Sequence, residues 1–133
     1  MVERDNQLVL IRRTAPPLQG YWVPPAGHVE LGESVTEATI REAREETGLE
    51  IVLEQLVNVY SHGDADVMIV AYRARAIGGQ PRAGDDAGEV GLFAPGRIPV
   101  QAPPDGLQGT ALDRWFYGVI QEVTAPWREA KHP

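Results

Sequence analysis

A chain of 133 residues, 43% hydrophobic and 23% charged, has the make-up of one soluble globular domain with room for a single core. Its net charge of −7 argues against a nucleic-acid polymer as partner, since phosphate backbones are gripped by clustered Lys and Arg; nucleotides stay open, because a bound metal screens their charge locally. Cysteine is absent, which removes disulfides and thiolate zinc sites and fits a cytoplasmic protein, and the chain shows neither a bilayer-spanning apolar run nor a signal-peptide pattern.

Asp5-Asn6 is a turn signal, and the Leu-Val-Leu-Ile centre of Gln7 to Arg13 predicts a strand buried on both faces. Thr14 to Gly20 is a loop by its prolines and glycine, and Tyr21-Trp22-Val23 a short strand ended by Pro24-Pro25. Strands are expected from Ile51 to Tyr60 and from Asp66 to Ala76, joined by a turn at His62-Gly63-Asp64. The second is apolar on both faces over its first half and is expected to lie centrally in a sheet. His62 could touch a substrate, but a lone loop histidine is more simply solvated. Gly78 to Gly88 is a loop carrying Asp85 and Asp86, followed by a short strand from Glu89 to Phe93. The proline-rich Ile98 to Gly106 connects to a helix capped by Thr110. That helix runs to about Val123 with Leu112, Trp115, Phe116, Val119 and Ile120 on one core-facing stripe; Pro126 is expected to end it and the remainder to fray.

Gly27 to Ile51, GHVELGESVTEATIREAREETGLEI, carries the chemistry. Ser34 and Glu37 form a capping pair ahead of a helical run that Gly48 stops. At about 100° per residue, Glu42, Glu45 and Glu46 fall within an arc of roughly 100° on the side that carries Val35, Ala38 and Thr39, leaving Glu37, Arg44 and Thr47 to solvent. Burying three carboxylates with the apolar side of a helix is costly unless cations compensate, and oxygen-only ligands select a hard cation, Mg²⁺ or Mn²⁺. Arg41, one turn before Glu45, can orient that carboxylate, and Glu33 can add a supporting contact. Gly27 lets the backbone approach the metal site. The plainer reading is a solvated Glu/Arg-rich helix held by i,i+4 pairs.

Gly27, Glu33, then Arg41-Glu42-Ala43-Arg44-Glu45-Glu46-Thr47-Gly48-Leu49 resembles the signature box of the Nudix hydrolases with every fixed position filled. Seven fixed residue types at about 5–7% usage each would match by chance on the order of once in 10⁸ positions. The resemblance implies an α/β/α sandwich with a mixed β-sheet between helices, and metal-dependent hydrolysis of a nucleoside diphosphate linked to another moiety, the substrate being a nucleotide or nucleotide sugar. The alternative is a Nudix-like module that senses a nucleotide without cleaving it.

By that resemblance Glu42, Glu45 and Glu46 are the metal ligands beside Gly27, and Arg41 keeps the array in register. Glu42, Glu46, Asp86 and Glu89 contend for the general base, the last two from the acidic loop where relatives often supply a further carboxylate. Tyr21 and Trp22 resemble the Trp-x-x-Pro segment that leads into the box. With Arg13 they are the candidate substrate contacts; for Trp22, packing against the box loop is the plainer role. Relatives also begin with an apolar strand before the Asp5-Asn6 turn, of which only Met1-Val2-Glu3 remain here. The first strand is therefore expected to be truncated and to leave an open edge that a second copy, in a homodimer, or another segment would cover.

Overall fold

A computed structural model describes residues 1–63, 66–84 and 87–129. Strand β1 (Val2–Arg4) turns at Asp5-Asn6, both with positive φ, into β2 (Gln7–Arg13). A loop then leads to β3 (Trp22–Val23), the helix α1 (Val35–Thr47), the long strands β4 (Leu49–Ser61) and β5 (Met68–Gly79), β6 (Ala87–Phe93), and a second helix, α2 (Ala111–Arg128). No helix among the described residues is long and apolar enough to cross a membrane.

The six strands form one mixed sheet: β4 and β5 pair antiparallel, β5 and β1 parallel, and β2 pairs antiparallel with β1, β3 and β6. Alternation along β2 shows why its centre is apolar throughout. Leu8 and Leu10 pack with Val119, Val123 and Trp127 of α2, whereas Val9 packs with Ala43 of α1. Each helix thus covers its own face of the sheet, the three-layer arrangement expected from the sequence.

The short first strand leaves no open edge at β1 itself. Val2 pairs with Val9 on one side and Ala74 on the other, so β1 is an interior strand. Further along the same edge of β2, Ile11 and Arg12 pair with Val23 and Trp22. Two short strands end to end do the work of one longer one.

Three other expectations are corrected. Pro126 does not end α2: the helix runs on to Arg128, and the Glu129 N–H still reaches the Ala125 carbonyl at 2.9 Å. A proline this close to the C-terminus forfeits only one helical hydrogen bond. Trp127 offsets that loss, being 6% exposed in the core with its Nε1 donating to Glu3 at 2.8 Å. β5 lies between β1 and β4, an interior place in the sheet as expected, but its first half is not covered on both faces: Met68 is 64% exposed. On α1, finally, the buried stripe is rotated from the expected one. Thr47 is fully buried with its hydroxyl on the Ala43 carbonyl, and Glu45 faces solvent.

Candidate active site

The box begins where β3 ends and closes on α1. Ser34 caps the helix by accepting from the Glu37 N–H at 3.1 Å while Glu37 accepts from the Ser34 N–H at 3.1 Å, a capping box worth about 1 kcal/mol. The Ser34 bonds hold the Glu37 carboxyl below its ordinary pKa. At the other end Gly48 adopts φ 76°, and any side chain there would meet the Gln80 carbonyl. The 80–84 loop docks on this helix end, with Arg82 N–H on Thr47 O at 2.7 Å and Gly84 N–H on Glu46 O at 3.2 Å. That docking fixes the depth at which Glu46 sits.

Arg41 is the hub of the site. Its Nε donates to Glu33 at 2.6 Å; Nη1 donates to Glu42 at 2.8 Å and to Glu45 at 3.0 Å; Nη2 donates to Glu33 at 3.0 Å and to the His28 carbonyl at 2.9 Å. Glu30 lies 3.6 Å from Nη1 and its N–H donates to Glu33 at 3.0 Å. One planar guanidinium therefore ties the box loop to two helix carboxylates, a task for which a point charge has too few fixed donors. The Arg41 bonds, with the Glu30 N–H adding to them, hold the Glu33 carboxyl below its usual pKa; Glu33 in turn raises the pKa of Arg41.

Glu46 is different: it is 7% exposed and accepts from the Ala26 N–H at 2.7 Å. A carboxylate so desolvated needs every donor it can reach. Gly27, the next residue along, passes so close to Glu42 that a Cβ there would overlap the carboxylate. The glycine's role is this close approach.

The three expected ligands thus share one end of the molecule but do not converge on one point, and among the described residues no three acidic or histidine side chains form a metal cage. Glu42 and Glu45 turn to the cation at hand, Arg41, while Glu46 turns to the loop backbone. The donor set still fits a divalent ion. It consists only of carboxylate oxygens, suited to Mg²⁺ or Mn²⁺, and the absent side chain at Gly27 lets the loop backbone lie against the Glu42 carboxylate.

The remaining candidates are placed elsewhere. Glu89 pairs across the sheet with Arg12 at 3.3 Å and is half exposed. Asp86 lies outside the described residues. Trp22 packs edge-on against Phe93, with ring centroids 5.2 Å apart. Tyr21 donates to the Ala102 carbonyl at 2.7 Å and meets the Tyr117 ring. Arg13 holds the carbonyls of Pro16 and Pro17 and stacks 5.7 Å over Phe116. Burial lowers its pKa, and the nearby charge of Glu46 opposes that shift. His62 meets the ring of Trp115, with centroids 5.6 Å apart.

Two supporting residues escaped the sequence reading. The Gln101 side chain pairs with β3 as a strand would, accepting from Trp22 N–H at 2.6 Å and donating to Trp22 O at 2.9 Å. Nothing local signals this. Asp113 is 5% exposed and accepts from the Leu18 N–H at 3.1 Å and from Thr110, anchoring the 14–20 loop to α2. Its signal was available in the Thr110-x-x-Asp113 spacing, a capping box.

The NUDIX domain family matches residues 1–113. An ADP-ribose pyrophosphatase of Methanocaldococcus jannaschii is 41% identical over 103 residues, 74% of this chain and 61% of the archaeal protein. The 8-oxo-dGDP phosphatase NUDT18 of Homo sapiens is 33% identical over 133 residues, 99% of this chain and 39% of the human protein. Among solved structures, a NUDIX hydrolase from Nitrosomonas europaea matches with a TM-score of 0.70 at 29% identity, covering 74% of this chain and 56% of that one. The chain spans less than two thirds of the length of each of these three proteins. With a complete box organised by Arg41, a three-layer fold and a family match over most of its length, the chain belongs to the Nudix hydrolase family.

Proposed function

We propose that the protein hydrolyses the diphosphate linkage of a nucleoside diphosphate joined to another moiety, with a divalent metal, Mg²⁺ or Mn²⁺, as cofactor. The observation that carries this reading is the Arg41 cluster, which holds Glu33, Glu42 and Glu45 beside a buried Glu46 at a backbone too close for any side chain but hydrogen. A purely structural acidic helix has no need for either the glycine approach or the buried acid.

Glu42, Glu45 and Glu46 would hold the ion, with Gly27 letting the loop backbone lie against the Glu42 carboxylate. A divalent ion held there would supply charge neutralisation to the diphosphate and would acidify an attacking water. Arg41 positions the acids by donating to two of them and to the His28 carbonyl. Glu46 is the stronger contender for the general base. It is screened from bulk water and its carboxylate is oriented by Ala26, whereas Glu89 faces Arg12 in solvent. Arg13, Tyr21 and Trp22 brace the loop and strand that lead into the box, so they act on substrate through position.

ADP-ribose is the first substrate to test, since the archaeal relative of that name matches at higher identity than the human 8-oxo-dGDP phosphatase. Turnover of ADP-ribose, a nucleotide sugar and a nucleoside triphosphate, measured with Mg²⁺ and with EDTA, checks the reading. Metal-dependent release of a nucleoside monophosphate or pyrophosphate is expected. No turnover of any of them with Mg²⁺, alongside tight nucleotide binding, would favour a sensing module. Glu46→Gln should lower turnover at saturating Mg²⁺ at least about 10²-fold with the fold retained.

A further inference from the structure

The helix end that carries Glu45 and Glu46 is finished by a segment that follows β5. The last four carbonyls of a helix have no partner within it, and the final turn frays unless something supplies donors. The Gly48 N–H reaches the Arg44 carbonyl at 2.9 Å, which leaves the carbonyls further along to donors from outside. β5 ends at Gly79, opposite Leu49 at the start of β4, so the chain leaves the strand beside the helix end. There the Arg82 N–H donates to the Thr47 carbonyl at 2.7 Å and the Gly84 N–H to the Glu46 carbonyl at 3.2 Å. The Gly84 carbonyl in turn accepts from the Ala87 N–H at 3.1 Å, tying the same segment to β6.

Backbone laid this closely on backbone leaves no space for side chains. A Cβ on Gly84 would overlap the Glu45 carbonyl, and one on Gly79 the Gly48 carbonyl. These are main-chain atoms, which cannot swing aside as the Glu42 carboxylate can beside Gly27. Gly84 has no left-handed φ, so the close approach alone excludes a larger residue there.

We propose that residues 79–84 are a clamp that caps α1 from outside the helix, and that Gly84 is a positioning residue for divalent-ion binding. The clamp holds the last turn where Glu46 meets the Ala26 N–H and Glu45 meets Arg41. This role rests on the reading of Glu45 and Glu46 as metal ligands. Glu42 stands a turn earlier, within the body of the helix, and is held by Arg41; the other two acids ride on the turn that the clamp finishes. Contacts that support a ligand govern metal affinity by about 10–100-fold, and here the support runs through the main chain. Arg82 has an exposed side chain, so its part is played by the N–H.

Two measurements on the full chain test this. Amide hydrogen exchange of the metal-free protein reads the clamp, and Mn²⁺ binding followed by electron paramagnetic resonance reads the positioning. Gly84→Ala should speed exchange at Glu46, Thr47 and Gly48 at least about tenfold and weaken Mn²⁺ binding at least about fivefold. Arg82→Pro, which deletes one N–H, should act in the same direction and carries the test alone if Gly84→Ala fails to fold. Val123→Ala opens a cavity in the α2 core; it should lower the melting temperature yet leave both readouts within about twofold of wild type. Unchanged exchange in the clamp variants overturns the clamp. Faster exchange with unchanged Mn²⁺ affinity overturns the positioning role and leaves the metal reading intact. Weakening of Mn²⁺ binding by Val123→Ala to the same extent also overturns that role, since lost stability would then explain it. A wild type that binds no Mn²⁺ overturns the metal reading, and the positioning role with it.

Discussion

Gly27→Ala separates what the site needs for folding from what it needs for chemistry. The added methyl would fall on the Glu42 carboxylate. That carboxylate ends a flexible side chain, so it can swing aside, giving up its 2.8 Å bond to Arg41 while Arg41 keeps Glu33, Glu45 and the His28 carbonyl. Gly27 is exposed and has no positive φ to lose. Replacing a loop glycine also narrows the unfolded ensemble, which stabilises by about 0.4–1 kcal/mol and offsets part of the disturbance. Net stability should therefore change by less than about 1 kcal/mol. Catalysis has no such tolerance: displacing a ligand by about 1 Å can cost about 10²-fold in rate, or ~2.7 kcal/mol of barrier. The assay is turnover of ADP-ribose at saturating Mg²⁺ beside a thermal melt of the same preparation. Turnover within about threefold of wild type would refute the claim that Glu42 must occupy that spot, since a tenfold change is already 1.4 kcal/mol. A variant that fails to fold would refute the claim that the constraint is local.

Other perturbations probe the supports. Arg41→Lys keeps the charge but loses the planar fork, so activity at fixed Mg²⁺ should drop at least about tenfold, with only partial rescue by excess metal. Asp113→Ala removes the reciprocal half of the Thr110 capping box, about 1 kcal/mol, and leaves the buried Leu18 N–H without its acceptor at about 1–3 kcal/mol, so urea unfolding should report a loss of about 2–4 kcal/mol. The Thr110 hydroxyl, opposed by burial and seconded by the Leu18 N–H, holds the Asp113 carboxyl below its usual pKa. Its stabilising contribution is then fully present above the unfolded value of about 3.9 and is lost as pH falls through the lower folded value. The melting-temperature gap between wild type and Asp113→Asn should accordingly narrow as pH is taken from 6 towards 2.5; a gap that widens contradicts the sign.

What could be read from the chain was what short-range physics writes into it. The Leu-Val-Leu-Ile run of β2 is apolar because each residue meets a helix on one face or the other, and Ser34-x-x-Glu37 and Gly48 mark the ends of α1 from within four residues. The box residues were legible because one helix and its leading loop carry all of them. Rotation of α1 was misjudged, since carboxylates were taken to face inward as a group, whereas of the three it is Glu46 that is buried, accepting from the Ala26 N–H, while Glu45 faces solvent. Gln101 bracing β3 and Trp127 holding the last turn of α2 depend on partners 79 and 124 residues away. No local pattern encodes a contact at that separation. The exposed start of β5 was hidden for a related reason: alternation shows that a strand has an apolar face, while the length of the helix packed on it decides how much of that face is covered.

Binding of Mn²⁺ followed by electron paramagnetic resonance, with Mg²⁺ as competitor, bears most directly on the reading of Glu42, Glu45 and Glu46 as a metal site. The folded wild type should bind Mn²⁺ displaceably, and Glu42→Gln and Glu46→Gln should each weaken binding at least about tenfold while melting as cooperatively as the parent. Equal affinity in all three proteins, or no binding by the wild type, would contradict it.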